Sequence, residues 1–114
     1  MTRHKRVAPV LLGAFEEQVM LAVVRMAGEA YGMNVRRELE SVTERDVTIG
    51  SVYATLDRLE AKGLVASTRV ATAADTNSRR IFAVTPPGGH SLALTRAVRD
   101  RLWDGVNLRA LTQS

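Results

Sequence analysis

Apolar positions between residues 48 and 64 recur at helical spacing and predict the best-defined helix of the chain. Its apolar side carries Ile49, Val52, Tyr53, Leu56 and Leu59. Its other side is small and polar at first and basic further on, with Ser51, Ala54, Thr55 and Arg58. The Thr48 hydroxyl is placed to cap this helix, and Gly63 is placed to end it. Because a DNA major groove admits one helix and is read mostly by its first turns, this pattern is typical of a recognition helix.

The two segments that follow, 64–70 and 79–84, alternate in polarity and are rich in β-branched residues, which predicts two strands. Between them, residues 71–78 form a loop of small and polar residues. A hairpin directly after a helix is typical of the wing of a winged helix-turn-helix. Arg79 and Arg80 stand where the second strand leaves the tip, a position suited to contacts with phosphate or with a minor groove. The alternative is a plain hairpin with solvated arginines.

The remaining pattern predicts three further helices. The first spans 13–27, with an apolar centre that would be buried on every side, and the second spans 32–43. Thr85 followed by two prolines predicts the start of a last helix over about 86–111. The predicted fold is mainly α with a small β wing. Its parts are a flexible basic arm at residues 1–12, a winged helix-turn-helix at 13–85 and a C-terminal dimerisation helix at 86–114.

The last predicted helix is apolar on two sides. One stripe consists of Leu94, Val98, Leu102 and Val106, and Trp103 extends it to a second side. A winged domain closes its own core, so this helix needs another surface, and a second copy of the chain is the natural one. Packing against the first helix of the same chain is the alternative. We interpret Trp103 as a packing anchor, and a ring facing a ligand cavity between subunits is the alternative role.

Composition and charge fit a small regulator. The chain has 114 residues, and 16 Lys and Arg against 12 Asp and Glu give a net charge of +4. The excess is concentrated in the N-terminal arm and near the wing, which favours nucleic acid as a partner. For the arm taken alone, a solubilising basic tail is the alternative. With no cysteine, disulfides and cysteine-ligated zinc are excluded. No segment has membrane-spanning length and we recognise no signal peptide, so we expect a cytoplasmic protein.

The polar residues form no catalytic constellation. His4 and His90 have no partner at ligand spacing, and Ser51 has no base beside it to make it a nucleophile. The pair Gly88-Gly89 opens a helix and lacks the lysine of a phosphate loop. We therefore expect no enzymatic activity, no metal site and no cofactor.

The order of these motifs resembles the PadR family of bacterial transcriptional regulators over residues 13–103. The resemblance is carried by Gly13-Ala14-Phe15-Glu16, Tyr31-Gly32, Gly50-Ser51-Val52-Tyr53, Leu56-Asp57-Arg58-Leu59-Glu60 and Arg79-Arg80-Ile81-Phe82. It implies a dimeric winged-helix regulator, usually a repressor, whose C-terminal helices embrace the N-terminal helix of the partner. With a single helix after the wing, the chain resembles the small subgroup of the family. It departs from the family where Ile49 and Ala54 replace frequent prolines.

Carried over position by position, the resemblance implies a set of DNA contacts. Tyr31 would lie near the DNA backbone, and Arg79 or Arg80 would serve the wing. Several residues at the start of the recognition helix would face the DNA groove or its phosphates: Thr48, Gly50, Ser51, Tyr53 and Ala54. Arg58 would do so further along the helix. Thr55 lies about one turn from Ser51 and is expected to face the groove with it. For Tyr53, core packing and phosphate contact stay open as alternatives.

Together these patterns predict a dimeric, sequence-specific DNA-binding regulator that represses from a palindromic operator. Its partners would be double-stranded DNA and a second copy of the chain, without a membrane. The alternative is a winged-helix dimer that acts as an adaptor for a protein or an RNA. A small-molecule effector would act by changing the separation of the two recognition helices, an analogy at the level of the fold that assigns no residue.

Overall fold

The computed structural model describes residues 8–72 and 75–113, and the side chains of 8–71 and 79–113. Within these residues, three helices precede a hairpin of two strands, and two helices follow it. The elements are α1 Ala14–Arg25, α2 Gly32–Thr43, α3 Ile49–Ala61, β1 Val65–Thr72, β2 Asp75–Val84, α4 Pro86–Trp103 and α5 Leu108–Thr112. The predicted mainly α fold with a small β wing is confirmed.

The bounds of three elements before α4 differ from the prediction. The first helix is shorter than predicted and ends at Arg25, where a turn begins. Both strands are longer and extend into the segment predicted as a loop, to Thr72 and from Asp75. The strands pair antiparallel, with Val65 opposite Val84 and Arg69 opposite Arg80. Residues 1–7 of the predicted basic arm lie outside the described residues.

Local hydrogen bonds explain where the helices begin. At α1, the Gly13 N–H donates to the Glu16 carboxylate at 3.0 Å. At α3, the Thr48 hydroxyl accepts the N–H of Ser51 at 3.1 Å. At α4, the Thr85 hydroxyl accepts from the N–H of Gly88 at 3.1 Å. Each bond satisfies an amide group that has no partner at the start of a helix, so the sequence sets these three boundaries locally.

The core lies between α1, α2 and α3 and is closed by the wing. Its fully buried apolar side chains come from all of these elements: Val19, Met20, Val23, Val35, Val52, Leu56, Leu59, Val65 and Phe82. Phe82 is the largest of them and enters from β2. Its backbone N–H also donates to the Ala30 carbonyl at 2.9 Å, which ties β2 to the connection between α1 and α2. The wing is therefore part of the packed domain at its base.

One side of α1 stays uncovered, although its apolar centre was expected to be buried on every side. Val19 and Val23 are buried, but Leu21 is 44% exposed and Val24 is 52% exposed. The three-helix core covers only one face of α1, so apolar composition alone overestimated its burial. Two large apolar side chains on α1 therefore face outward in the isolated subunit.

Helix α4 packs against the domain through small and polar residues. The hydroxyls of Ser91 and Thr95, both buried, accept the N–H groups of Val10 and Leu12 at 3.1 and 3.0 Å. Gly88 lies against the backbone of Leu64, close enough that no side chain fits between them. The start of α4 and the segment before α1 are thereby held to the same domain.

The predicted single helix over 86–111 is wrong. Helix α4 ends at Trp103, and Gly105 follows in the left-handed conformation with φ of 78°. Asn107 then caps α5 by accepting the N–H of Ala110 at 3.1 Å. The apolar spacing continues past residue 103, but the Asp104-Gly105 pair turns the chain, so Val106 lies in the turn and not on the helix.

The contact at Gly88 generates a prediction on stability. A Cβ at this position would lie 2.0 Å from the Leu64 carbonyl oxygen, a backbone atom that has little freedom to move. Gly88→Ala should therefore lower the free energy of unfolding by about 2–3 kcal/mol, as overpacking does in a closed core. Urea denaturation followed by circular dichroism measures the change.

Gly89→Ala is the matched control, because a Cβ at Gly89 meets nothing within 4 Å. Alanine there should leave stability unchanged or raise it by up to about 1 kcal/mol through helix propensity. Equal stabilities of the two variants would contradict the close packing of α4 on Leu64.

Candidate nucleic-acid interface

The N-terminal end of α3 presents a small, polar surface. Besides capping the helix, Thr48 has a carbonyl that accepts the Ser51 hydroxyl at 2.8 Å. Gly50, Ser51 and Ala54 are exposed. The first amides of a helix carry partial positive charge and suit an anion such as phosphate. A Cβ on Gly50 would meet nothing within 4 Å, so packing inside the subunit does not require glycine there. The absence of a side chain at Gly50 instead leaves room for another molecule to approach the helix backbone.

Thr55 does not belong to this surface, and the expectation that it faces outward with Ser51 is wrong. Its exposed fraction is only 3%. Thr55 follows Val52 by three residues and precedes Leu59 by four, which places all three on one face of the helix. The exposed face of α3 is therefore narrower than expected. It begins at Gly50 and Ser51 and continues through Ala54 to Arg58.

Tyr53 packs inside the subunit and is also partly exposed, whereas its contact with phosphate stays a prediction. Its side chain is 38% exposed, yet the end of the ring lies on Gly32 at the start of α2. A Cβ on Gly32 would come within 2.4 Å of the ring carbon Cζ and 2.5 Å of the hydroxyl oxygen. Sequence reasoning missed this use of Gly32, although the Tyr31-Gly32 pair at a helix start was the available signal.

A cleft of about 420 Å³ lies where the start of α2, α3 and the wing meet. It is lined by Tyr31, Met33, Arg37, Tyr53, Arg69, Arg79 and Arg80. The Arg79 guanidinium lies 4.7 Å from the centroid of the Tyr31 ring, a cation–π distance that joins the wing to α2. Sequence reasoning had assigned a role in the site to neither Arg37 nor Arg69. In the hairpin Arg69 lies directly opposite Arg80, and residues that lie opposite each other point to the same face of the sheet. This pairing places Arg69 in the cleft beside Arg80.

Arg80 has a different environment from Arg79, although the sequence treated the two arginines alike. Its guanidinium donates to Asp57 at 3.1 Å and to Glu60 at 2.8 Å, both on α3. Ser67 on β1 also donates to Glu60. This hydroxyl is the main cause that lowers the pKa of the Glu60 carboxyl, and Arg80 lowers it further against the effect of desolvation. The second strand thus carries one arginine over the Tyr31 ring and one towards α3.

Arg58 and Lys62 lie further along α3 and share one carboxylate on α1. Lys62 Nζ is 3.2 Å from the Glu16 carboxylate, and Arg58 Nε is 3.9 Å from it. The Gly13 N–H is the largest cause of a lowered pKa for Glu16, and Lys62 and Arg58 add to it while desolvation opposes them. Arg58 remains more than half exposed at the side chain, so its ion pair is a weak restraint.

The residues assigned to dimerisation become more exposed along α4. Leu94 and Val98 are half-buried, whereas Leu102 is 72% exposed and Trp103 is 53% exposed. Between α1 and α4 lies a groove of about 700 Å³, whose walls include Leu21, Leu92, Ala93 and Ala97. At its edge, the Arg99 guanidinium binds the buried carboxylate of Glu17 at 2.9 Å. The groove thus combines apolar and charged lining residues, and the exposed Leu102 and Trp103 add apolar surface at the end of α4.

The described residues contain no group of three or more His, Asp or Glu side chains placed to hold a metal ion. None of their helices has the length and apolar character needed to cross a membrane.

The three-helix core, the hairpin packed on it and the exposed end of α3 define a winged helix-turn-helix protein. Residues 20–94 match the PadR-like transcriptional regulator family, and the chain belongs to this family. This is a family of transcriptional regulators. A comparison with curated proteins gave no match.

Solved structures support the same fold. A PadR-like transcriptional regulator from Bacillus cereus superposes with a TM-score of 0.71 at 22% identity, covering 90% of this chain and 95% of that one. A PadR family regulator from Eggerthella lenta gives 0.65 at 25% identity, covering 83% and 82%. RosR from Halobacterium salinarum gives 0.64 at 25% identity, covering 87% and 84%.

The ion pairs of Glu16 generate a prediction on pH dependence. Because its pKa in the folded chain lies below the ordinary 4.5, the charged form stabilises the fold above that pH, and the contribution is lost as pH falls through the folded value. Glu16→Gln keeps an acceptor for the Gly13 N–H and removes the charge. The difference in unfolding free energy between wild type and variant should be largest near neutral pH and shrink below about 4.5.

Urea denaturation between pH 3 and 7 measures this difference. Glu29→Gln, the same chemical change at an exposed position, controls for the substitution itself. A difference that stays constant over this range would contradict the role of the Glu16 charge.

Proposed function

We propose that this PadR family protein is a homodimeric, sequence-specific DNA-binding regulator that represses from a palindromic operator in the cytoplasm. The observation that carries the proposal is the exposed N-terminal face of α3, small and uncharged at Gly50, Ser51 and Ala54, next to the arginine-lined cleft of the wing. A helix with such a face can approach the floor of a major groove closely while cations at its side bind phosphate.

Recognition in this proposal relies on shape and phosphate contacts as much as on base edges. On the groove-facing side of α3, Ser51 has a hydroxyl, Ala54 has a methyl group and Gly50 has no side chain. Such a surface can pack closely against DNA but can form few hydrogen bonds with it. Positive charge comes from the end of the helix and from Arg79 and Arg37 in the cleft. Sequence preference would then depend partly on how easily a site adopts the required groove width.

The exposed apolar surfaces of α1 and α4 support a dimer. Leu21 and Val24 on α1, and Leu102 and Trp103 at the end of α4, are all more than two-fifths exposed in the isolated subunit. A twofold dimer covers both surfaces at once, since each subunit offers its α4 to the α1 of the other. The resulting pair of α3 helices would read two half-sites about 10 base pairs apart, centre to centre.

Ser51→Glu should abolish binding to the operator and leave the fold intact. Ser51 is exposed, so the carboxylate would stay in solvent in the free protein but would face phosphates in the complex. Footprinting on an operator selected from random DNA, together with a thermal melt of the variant, tests both statements. Wild type should protect two symmetric half-sites.

Gln113→Glu adds the same charge on the exposed C-terminal segment and should bind DNA as wild type does. Normal operator affinity in folded Ser51→Glu would refute the assignment of α3. Wild-type binding to a protein or RNA with no preference among DNA sequences would favour the adaptor alternative.

Leu102→Asp should convert the dimer to a monomer, because the interface would have to desolvate a carboxylate. Light scattering at micromolar concentration gives the mass of each species. Val42→Asp, at an exposed apolar residue of α2 that lies outside the proposed interface, should keep the dimeric mass. A monomeric wild type, or a dimeric Leu102→Asp variant, would contradict this interface.

A further inference from the structure

The carboxylate of Glu60, at the C-terminal end of α3, is bound by both strands of the wing. Ser67 on β1 donates its hydroxyl to one oxygen, and Arg80 on β2 donates to the other at 2.8 Å. Hydrogen bonds in which a partner is charged are stronger and more directional than those between neutral groups. One side chain of α3 therefore holds both strands of the hairpin.

Arg80 is itself held from three directions. Its two terminal nitrogens bind Asp57 and Glu60, which lie one turn apart on α3. Its guanidinium carbon also lies 4.8 Å from the centroid of the buried Phe82 ring. The side chain is only 26% exposed. Together these contacts place the guanidinium at one position relative to α3 and to the core.

Arg79 provides the contrast on the same strand. It lies over the Tyr31 ring, and the described residues offer it no carboxylate within ion-pair distance. Among the described side chains, its charge is therefore not offset by a carboxylate. Two of the N–H groups of Arg80 already bind carboxylates, which orient the guanidinium towards α3 and offset its charge, so a phosphate would gain less from Arg80 than from Arg79.

We propose that Arg80 is a positioning residue that fixes the wing against α3, and that it is not a ligand of DNA phosphate. The bridge from Asp57 and Glu60 to Arg80 sets the distance between the groove-facing end of α3 and Arg79 on the wing. This distance decides whether both can contact one half-site together. The consequence for DNA affinity rests on the proposed function, whereas the consequence for the order of the wing does not.

Hydrogen exchange on the free protein tests the structural half of the proposal. Arg80→Gln and Glu60→Gln should each lower the protection of the amides in β1 and β2 by about fivefold to tenfold, while α1 and α2 keep theirs. Arg79→Gln is the matched control; it removes only the contact with the Tyr31 ring and should lower the protection of the wing much less than Arg80→Gln does. A thermal melt confirms that each variant is folded, and Asp57→Asn provides a further variant if Arg80→Gln does not fold.

DNA binding as a function of salt tests the other half. Arg79→Gln should reduce the slope of log affinity against log salt by about one, the signature of a lost phosphate contact. Arg80→Gln should weaken operator binding about tenfold with a change in slope well below one. Glu60→Gln is decisive, because removing a negative charge near DNA would tighten binding if only charge mattered. We expect it to weaken binding, and the double variant Glu60→Gln with Arg80→Gln to lose no more than either single variant.

An Arg80→Gln variant with normal wing protection and a slope reduced by one would overturn the proposal, as would tighter DNA binding by Glu60→Gln. If wild type binds no DNA, the proposed function fails by itself. The exchange measurements then decide the role of Arg80 alone.

Discussion

The burial of one face of α3 is the constraint on which the rest of the molecule depends. Val52, Leu56 and Leu59 have no exposed surface, so the rotation of α3 about its axis has no freedom. That rotation carries Thr55 into the domain and turns Gly50 and Ala54 outward. Side-chain volume in the core thereby decides which residues can meet a partner, although the core residues touch nothing outside the subunit.

The wing depends on the same packing. Phe82 fills the core from β2, and the backbone bond from Phe82 to Ala30 fastens the strand beside α2. Because successive residues of a strand point to opposite faces, Arg80 follows Phe82 towards α3 while Arg79 lies over Tyr31. Within the described side chains, the two adjacent arginines therefore differ in their carboxylate partners, because side chains alternate along the strand.

Helix α4 is attached to its own domain by small and hydroxyl side chains, whereas the large apolar side chains near its end stay exposed. Small and hydroxyl side chains at Gly88, Ser91 and Thr95 hold α4 to its own domain by close backbone contact and hydrogen bonds. The larger apolar residues near its end, such as Leu102 and Trp103, remain exposed. A helix that uses its smallest side chains inside the subunit keeps its apolar area for another surface, which is consistent with the dimer that we propose.

The sequence by itself determined the type and order of the elements as far as the start of α4. Caps at Thr48 and Thr85, helical spacing from Ile49 to Leu59 and alternation in the two strands are local signals, and local signals depend only on neighbours along the chain. Only the tertiary structure decided the burial of Thr55, the exposure of Leu21 and the pairing of Arg80 with α3. These three features depend on which segment, distant along the chain, packs against a given face of a helix or strand. The pattern of apolar and polar residues does not contain that information. The turn at Gly105 is an intermediate case between local signals and tertiary packing. The glycine was a local signal for a turn, but the apolar spacing that continues past it indicated a longer helix.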